Sequence, residues 1–278
     1  MHAPFNPDRR RTLFSLGALP VAGLLGTSAL AATQPPAQAT NTLEMINQAG
    51  RQRMLSQRIA KLYAQQVRGI RDAEARNLLG ESMRLFDTQL LTLREFVSTK
   101  NTPALVDTYH QLSEHWLDYK QVAGTPANLG GLKKIAILNE QVLSLAHQGT
   151  VQLEALHGGS LGKLVNIAGR QRMLSQRMSK FYFFIANGID IPDMRQGLDS
   201  ARKDFLAAMQ TLKMAPENNK VTESWIQLAD MQWMFFNDAL RADAKSRERT
   251  YLETNVAVTS ENILQVMDKL TGLYATLS

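Results

Sequence analysis

Apolar and polar positions along the chain recur at intervals of three and four, and no stretch alternates long enough to specify a strand. From Ala73 to Val97 the residues Leu78, Leu79, Met83, Phe86, Leu90, Leu93 and Phe96 keep the helical spacing. From Met194 to Met214, Leu198, Phe205, Leu206, Met209 and Leu212 do the same. Each segment runs into a breaker, Ser98 to Pro103 and Ala215 to Asn219. A third helix is predicted over Pro103 to Lys120 and again over Val221 to Arg241, and each carries a tryptophan, Trp116 and Trp233. A fourth is predicted over Leu132 to Leu156 and Tyr251 to Leu277. Gly158-Gly159-Ser160 separates the halves, with Ser160 a candidate helix cap. Four helices per half with short connections predict an all-α protein: two tandem antiparallel four-helix bundles related by internal duplication.

The first helix of each half is nearly the same sequence. INQAGRQRMLSQRIAKLY runs from Ile46 to Tyr63, and VNIAGRQRMLSQRMSKFY from Val165 to Tyr182; AGRQRMLSQR is identical in both. The offset, 119 residues between Arg53 and Arg172, is a small domain rather than a solenoid repeat. On a helical wheel Leu55, Ile59 and Leu62 share one side and should face the core of their own bundle. A second stripe holds Ile46, Gly50, Arg53, Gln57, Ala60 and Ala64, matched by Val165, Gly169, Arg172, Gln176 and Ser179. An interior glycine costs a helix about 1 kcal/mol against alanine, but it permits a close neighbour. Two such helices paired about a local two-fold axis would bring Arg53 and Arg172 together. Facing guanidinium groups repel unless an anion lies between them, and their forked donors suit planar oxyanions. Arg51, Arg58, Arg170 and Arg177 fall on another side of the wheel, either solvated or paired with carboxylates of neighbouring helices.

Composition narrows the partners. The chain of 278 residues is 44% apolar with a net charge of +6, and it contains no cysteine, which excludes disulfides and thiolate metal sites. Arg9-Arg10-Arg11 precedes an apolar run from Leu13 to Leu25, and Ala29-Leu30-Ala31 has the small residues of a cleavage site. Residues 1–31 therefore read as a signal peptide, twin-arginine-like at Arg10-Arg11-Thr12-Leu13-Phe14, with the Sec route as the alternative. Its removal leaves 28 basic and 24 acidic residues, a charge of +4. That is too weak a balance for a nucleic-acid partner and fits a small anionic ligand or nothing in particular. The expected organisation is a polar linker over 32–41 with a cap at Asn41 or Thr42, a first bundle over 42–157 and a second over 160–278, in a mature periplasmic protein that does not span the membrane.

The remaining candidates are weak. Glu154 and His157 form a Glu-x-x-His, but the second half has no counterpart, so the di-iron set is incomplete and no metal or cofactor is expected. His110, Glu114 and His115 read as a solvated helix face, and Phe181 to Phe184 as core. No nucleophile triad, nucleotide loop or paired catalytic carboxylate is present, so no enzymatic activity is assigned. The export signal would also suit a cofactor-loaded redox protein, the least supported of the functional classes.

The two motifs INQAGRQRMLSQR and VNIAGRQRMLSQR resemble the signature of the PilJ-type domain, the N-terminal domain of type IV pilus methyl-accepting chemotaxis transducers. They are also similar to the first-helix signature of nitrate/nitrite sensor histidine kinases. The closing helix from Val258 to Leu264 resembles that of the same domain. The resemblance covers most of the chain beyond residue 31, as two copies. It implies a periplasmic helical bundle in which two copies of the first helix hold one nitrate, with Arg53 and Arg172 making the key contacts. Gly50 and Gly169 match the motif glycine, and Arg58 and Arg177 its second arginine. Gln57 and Gln176, inside the small stripe, complete the candidate ligand set. Arg-Gln after the glycine and Leu-Ser-Gln after the methionine follow the pilus-transducer branch, which weighs against nitrate itself. The membrane helices and output domain of both relatives are not found in these 278 residues, so a membrane receptor or transporter partner is expected to read the ligand. The competing expectation is a ligand-free module that docks on a membrane chemoreceptor or a type IV pilus component.

Overall fold

The computed structural model describes residues 37–189, 192–241 and 248–277, which lie in one compact unit spanning 36–278. Eight α-helices and no strand occur among the described residues. They are α1 (Ala37–Arg68), α2 (Asp72–Ser98), α3 (Pro103–Ala123), α4 (Leu129–His157), α5 (Gly159–Ala186), α6 (Pro192–Lys213), α7 (Lys220–Arg241) and α8 (Arg249–Ala275). Within each half the helices pack in sequence order and the fourth returns to the first, the antiparallel four-helix arrangement. The two halves meet along α1 and α5, the most extensive helix contact in the molecule.

That arrangement places α1 and α5 at the centre of a shared core. From Gln52 to Gln57 every residue of α1 is buried, polar or not, and Leu55, Ile59 and Leu62 lie in the core as the wheel predicts. An amphipathic outer helix hides one stripe; a central helix hides its whole circumference. The outer helices keep a one-sided pattern, as in α2, where Leu79, Phe86, Leu90 and Leu93 are buried.

Local signals set the helix ends. Pro103 opens α3, where its missing N–H costs no helical bond. The Asn128 side chain accepts from the Gly131 N–H at 2.9 Å and caps α4. Asn219 caps α7 by accepting from Val221 and Thr222. Both repeated helices finish alike, at Gly69 and Gly188, 119 residues apart, with φ of 73° and 80°. The Ile70 N–H then reaches back to the Gln65 carbonyl and Ile189 to Phe184, each at 2.9 Å, with the isoleucine buried. This is the Schellman closure, and both halves repeat it.

Two expected boundaries change. Residues 37–41 are helical rather than extended, and α1 runs through Asn41 and Thr42 without stopping at a cap. The segment Ala37-Gln38-Ala39 contains no breaker, and the helix it joins is anchored by its neighbours. Ser160 does not cap α5. Gly158 takes that position, with Gly158 and Gly159 at φ 69° and 73°, a turn that glycine supplies without steric cost. The proposed signal peptide, residues 1–31, and residues 32–36 of the proposed linker lie outside the described residues.

The tryptophans close the outer layers. Phe86 stacks on Trp116 with ring centres 3.8 Å apart, and Phe205 on Trp233 at 4.5 Å. Trp116 is 2% exposed and donates from its indole to Asp87, whereas Trp233 is only partly buried. Trp116→Ala should therefore cost about 3–5 kcal/mol and Trp233→Ala distinctly less, measured as the difference in urea unfolding free energy.

Candidate functional site

The motif glycines let α1 and α5 cross closely. A Cβ placed on Gly50 would lie 3.7 Å from the Gly169 Cα, 3.3 Å from Arg53 Nη2 and 3.4 Å from Arg172 Nη2. On Gly169 it would meet Arg172 Nη2 at 3.3 Å, Arg53 Nη2 at 3.5 Å and the Gly50 Cα at 3.8 Å. Both guanidinium tips thus converge on the crossing point, related by the local two-fold, and both side chains are fully buried. Each reaches across to the other helix. Arg53 Nη2 donates to the Asn166 carbonyl at 3.3 Å, and Arg172 Nη2 to the Asn47 carbonyl at 2.9 Å. The Nε of each is buried without a hydrogen-bond partner.

Beyond the crossing the symmetry breaks. The fourth helices align through Glu140 with Glu261 and Thr150 with Thr271, each pair 121 residues apart, which sets His147 opposite Asp268. Arg172 Nη1 donates to Asp268, and Arg51 Nη2 shares the same oxygen at 2.8 Å. Arg53 Nη1 instead meets His147 Nδ1 at 3.3 Å. Among the described residues no carboxylate hydrogen-bonds to Arg53. Burial, followed by the Arg172 and Arg170 charges, brings Arg53 down to about 9. Burial also lowers Arg172, to about 10, with Asp268 opposing the fall. His147 is lowered by partial burial and then by Arg53 and Arg170.

One turn further along, reciprocal ion pairs tie the halves together. On α1, Arg58 bonds Glu261 of α8 at 2.5 Å, and the buried Lys61 bonds the same carboxylate. On α5, Arg177 and Lys180 hold Glu140 of α4 at 2.8 and 2.5 Å. Burial alone would raise Glu261, but Lys61 and Arg58 outweigh it and hold the carboxyl at about 2. Gln57 donates to Asn139 and accepts from Arg177; Gln176 donates to the Ser260 carbonyl.

Of the candidate ligand residues, the structure brings Arg53, Arg172, Gly50 and Gly169 to one point. Gln57 and Gln176 are buried toward the fourth helices, and Arg58 is engaged by Glu261. Arg51, Arg58, Arg170 and Arg177 pair with Asp268, Glu261, Asp204 and Glu140, the second of the two roles left open for them. Glu154 bonds Asn166, and His110 and Glu114 are exposed. A cavity of about 350 Å³ opens beside the crossing, with Arg53, Glu140, His147, Arg170, Arg177 and Asp204 in its wall. Sequence reasoning missed His147, Asp268, Glu140, Glu261, Lys61 and Lys180. Lys61 and Lys180 sit in the repeat itself, and the recurring Glu140 and Glu261 were available as a signal for their partners.

The family model described as type IV pili methyl-accepting chemotaxis transducer N-term matches residues 36–148 and 159–230. No curated protein and no solved structure matches the chain.

The carboxylate at Glu261 makes folding depend on acidity. Its folded value lies below the ordinary 4.5, so its contribution is present above pH 4.5 and disappears as the pH falls through about 2. Glu261→Gln leaves Lys61 buried without its counter-charge and should cost about 3–5 kcal/mol at neutral pH. Urea unfolding at a series of pH values should show that loss together with a flatter profile on the acid side.

Proposed function

The chain belongs to the type IV pili methyl-accepting chemotaxis transducer N-terminal domain family, a sensory rather than enzymatic family, and from that premise we propose that it is a periplasmic sensory module for a small oxyanion, nitrate or nitrite first. Two copies of the domain, over 42–157 and 160–278, act as a fused pair. Residues 1–31 direct export by the twin-arginine route and are removed near Ala31, and the ligand signal passes to a membrane receptor or transporter. No helix among the described residues is long and apolar enough to cross a membrane.

One observation carries the ligand reading. Arg53 is a fully buried cation at a cavity wall, hydrogen-bonded to a carbonyl and a histidine and to no described carboxylate. A buried charge without its counter-charge is costly, and a diffusible anion supplies what the chain withholds. Arg170 and Arg177 also line the wall, each paired with a carboxylate, Asp204 and Glu140, so the uncompensated charge there is that of Arg53. The guanidinium fork of Arg53 suits a planar oxyanion, and the Arg172 charge at the same crossing adds to the field. Gly50 and Gly169 let the two arginines meet, and Gln57, Gln176, Arg58 and Arg177 join α1 and α5 to the fourth helices.

A second reading, a ligand-free module docking on a chemoreceptor or pilus component, draws on α7, where Met231, Met234 and Phe235 are exposed. Capture of a membrane partner that is unchanged by Arg53→Ala and Arg172→Ala would favour it.

Titration calorimetry of the purified chain with nitrate, nitrite and sulfate tests the sensory reading. Nitrate or nitrite should release heat, and Arg53→Ala should weaken binding at least tenfold. Binding should tighten as the pH falls below the ordinary histidine value of 6.5. His147 titrates from a lowered value, with Arg53 and Arg170 acting on it as cations and Glu154 as an opposing acid, and a bound anion favours its protonated form. No heat with any of the three anions would sink the proposal.

A further inference from the structure

The two halves share a helix but place their carboxylates differently. At Arg172 the position opposite Nη1 is Asp268, a carboxylate from α8 that also engages Arg51. At Arg53 the equivalent position is His147, a ring without fixed negative charge. Three further differences run the same way. Arg170 is neutralised by Asp204 of α6 at 2.7 Å, whereas the residue 119 positions before Asp204 is Leu85, so Arg51 turns inward to Asp268. Gly197, Ser200 and Ala201 of α6 leave the cavity open; their counterparts on α2 are Leu78, Glu81 and Ser82, which fill more space. Glu154, whose charge acts on Arg53, is held by Asn166 instead of by the guanidinium. The unpartnered Nε is common to both arginines, so the asymmetry resides at Nη1 and in the adjoining space.

We infer that Asp268 is a built-in stand-in for the ligand, so that the chain takes up one anion, at the Arg53–His147 side, and the residue at position 147 or 268 decides whether its half accepts an external anion. A carboxylate presents the same planar pair of oxygens as nitrite, and nitrate presents three; each satisfies a guanidinium fork in the same way. A half that carries its own carboxylate has its arginine already compensated. The cavity at the other half, about 350 Å³, holds a small oxyanion together with retained water, each water needing roughly 30 Å³. This inference rests on the oxyanion reading above and adds to it the side of the crossing that takes the anion and the residue that sets it.

The test uses the purified chain and nitrate in calorimetry. The unsubstituted chain should bind one nitrate. His147→Asp installs the carboxylate of the other half and should weaken nitrate binding at least a hundredfold, while His147→Asn should stay within about tenfold of the parent. In thermal melts Asp268→Ala should lower the melting temperature, and nitrate or formate should restore more of it than the same salt adds to the parent chain. Two nitrates per parent chain, His147→Asp binding as tightly as His147→Asn, or an Asp268→Ala chain no more responsive to nitrate than the parent would each overturn the inference while leaving the oxyanion reading intact. A parent chain that binds no nitrate overturns both. If His147→Asp does not fold, the Asp268→Ala melts decide.

Discussion

Two guanidinium groups are buried at the crossing of two helices, and most of the polar architecture answers to that fact. Each buried ion costs several kcal/mol unless charge and hydrogen bonds compensate it, on the order of the whole stability of a domain. Close approach of α1 and α5 at Gly50 and Gly169 brings the arginines together; the same approach lets each donate to the other helix's carbonyl. The crossing is thus stitched by charge-assisted hydrogen bonds rather than by an apolar seam. The fourth helices supply counter-charge, because they are the neighbours that reach the flanks of the central pair.

The counter-charges cross between halves. Glu261 of α8 serves Arg58 and Lys61 of α1, while Glu140 of α4 serves Arg177 and Lys180 of α5. Neither half alone would satisfy its own first helix, because the buried lysine of each needs a carboxylate from the other. This explains why the described residues form one compact unit even though the sequence is duplicated. Arg68 and Glu253 extend the tie toward the end of α1, with a bidentate pair near 3 Å.

Fusion into one chain frees the two halves to differ. A symmetric pair of separate subunits must place the same residue opposite both arginines. Here His147 and Asp268 occupy that place, and α6 carries small residues where α2 carries Leu78 and Glu81. The departures from symmetry cluster on one side of the crossing, beside the cavity, whereas the Schellman closures, the stacked aromatic pairs and the lysine–glutamate ties repeat faithfully.

Much of this was determined by the sequence alone: eight helices, their connections, the 119-residue duplication and the stripe that carries Gly50 and Arg53. These are local properties, because a helical period and a glycine within it are legible inside a window of some eighteen residues. The wheel also separated Arg53 and Arg172 from Arg51, Arg58, Arg170 and Arg177, all four of which the structure pairs with carboxylates, as it pairs Arg172 with Asp268. Which carboxylate serves which cation was settled only in three dimensions. Asp268 lies 96 residues from Arg172 and Glu261 203 residues from Arg58, so no spacing rule connects them. The N-terminal boundary moved for a related reason, since a helix docked by its neighbours extends past a capping signal that would end it in isolation. Local periodicity chose the helices and the face each buries; the choice between an internal carboxylate and an open cavity at each arginine arose from long-range packing, where charge and space depend on helices far apart in the chain.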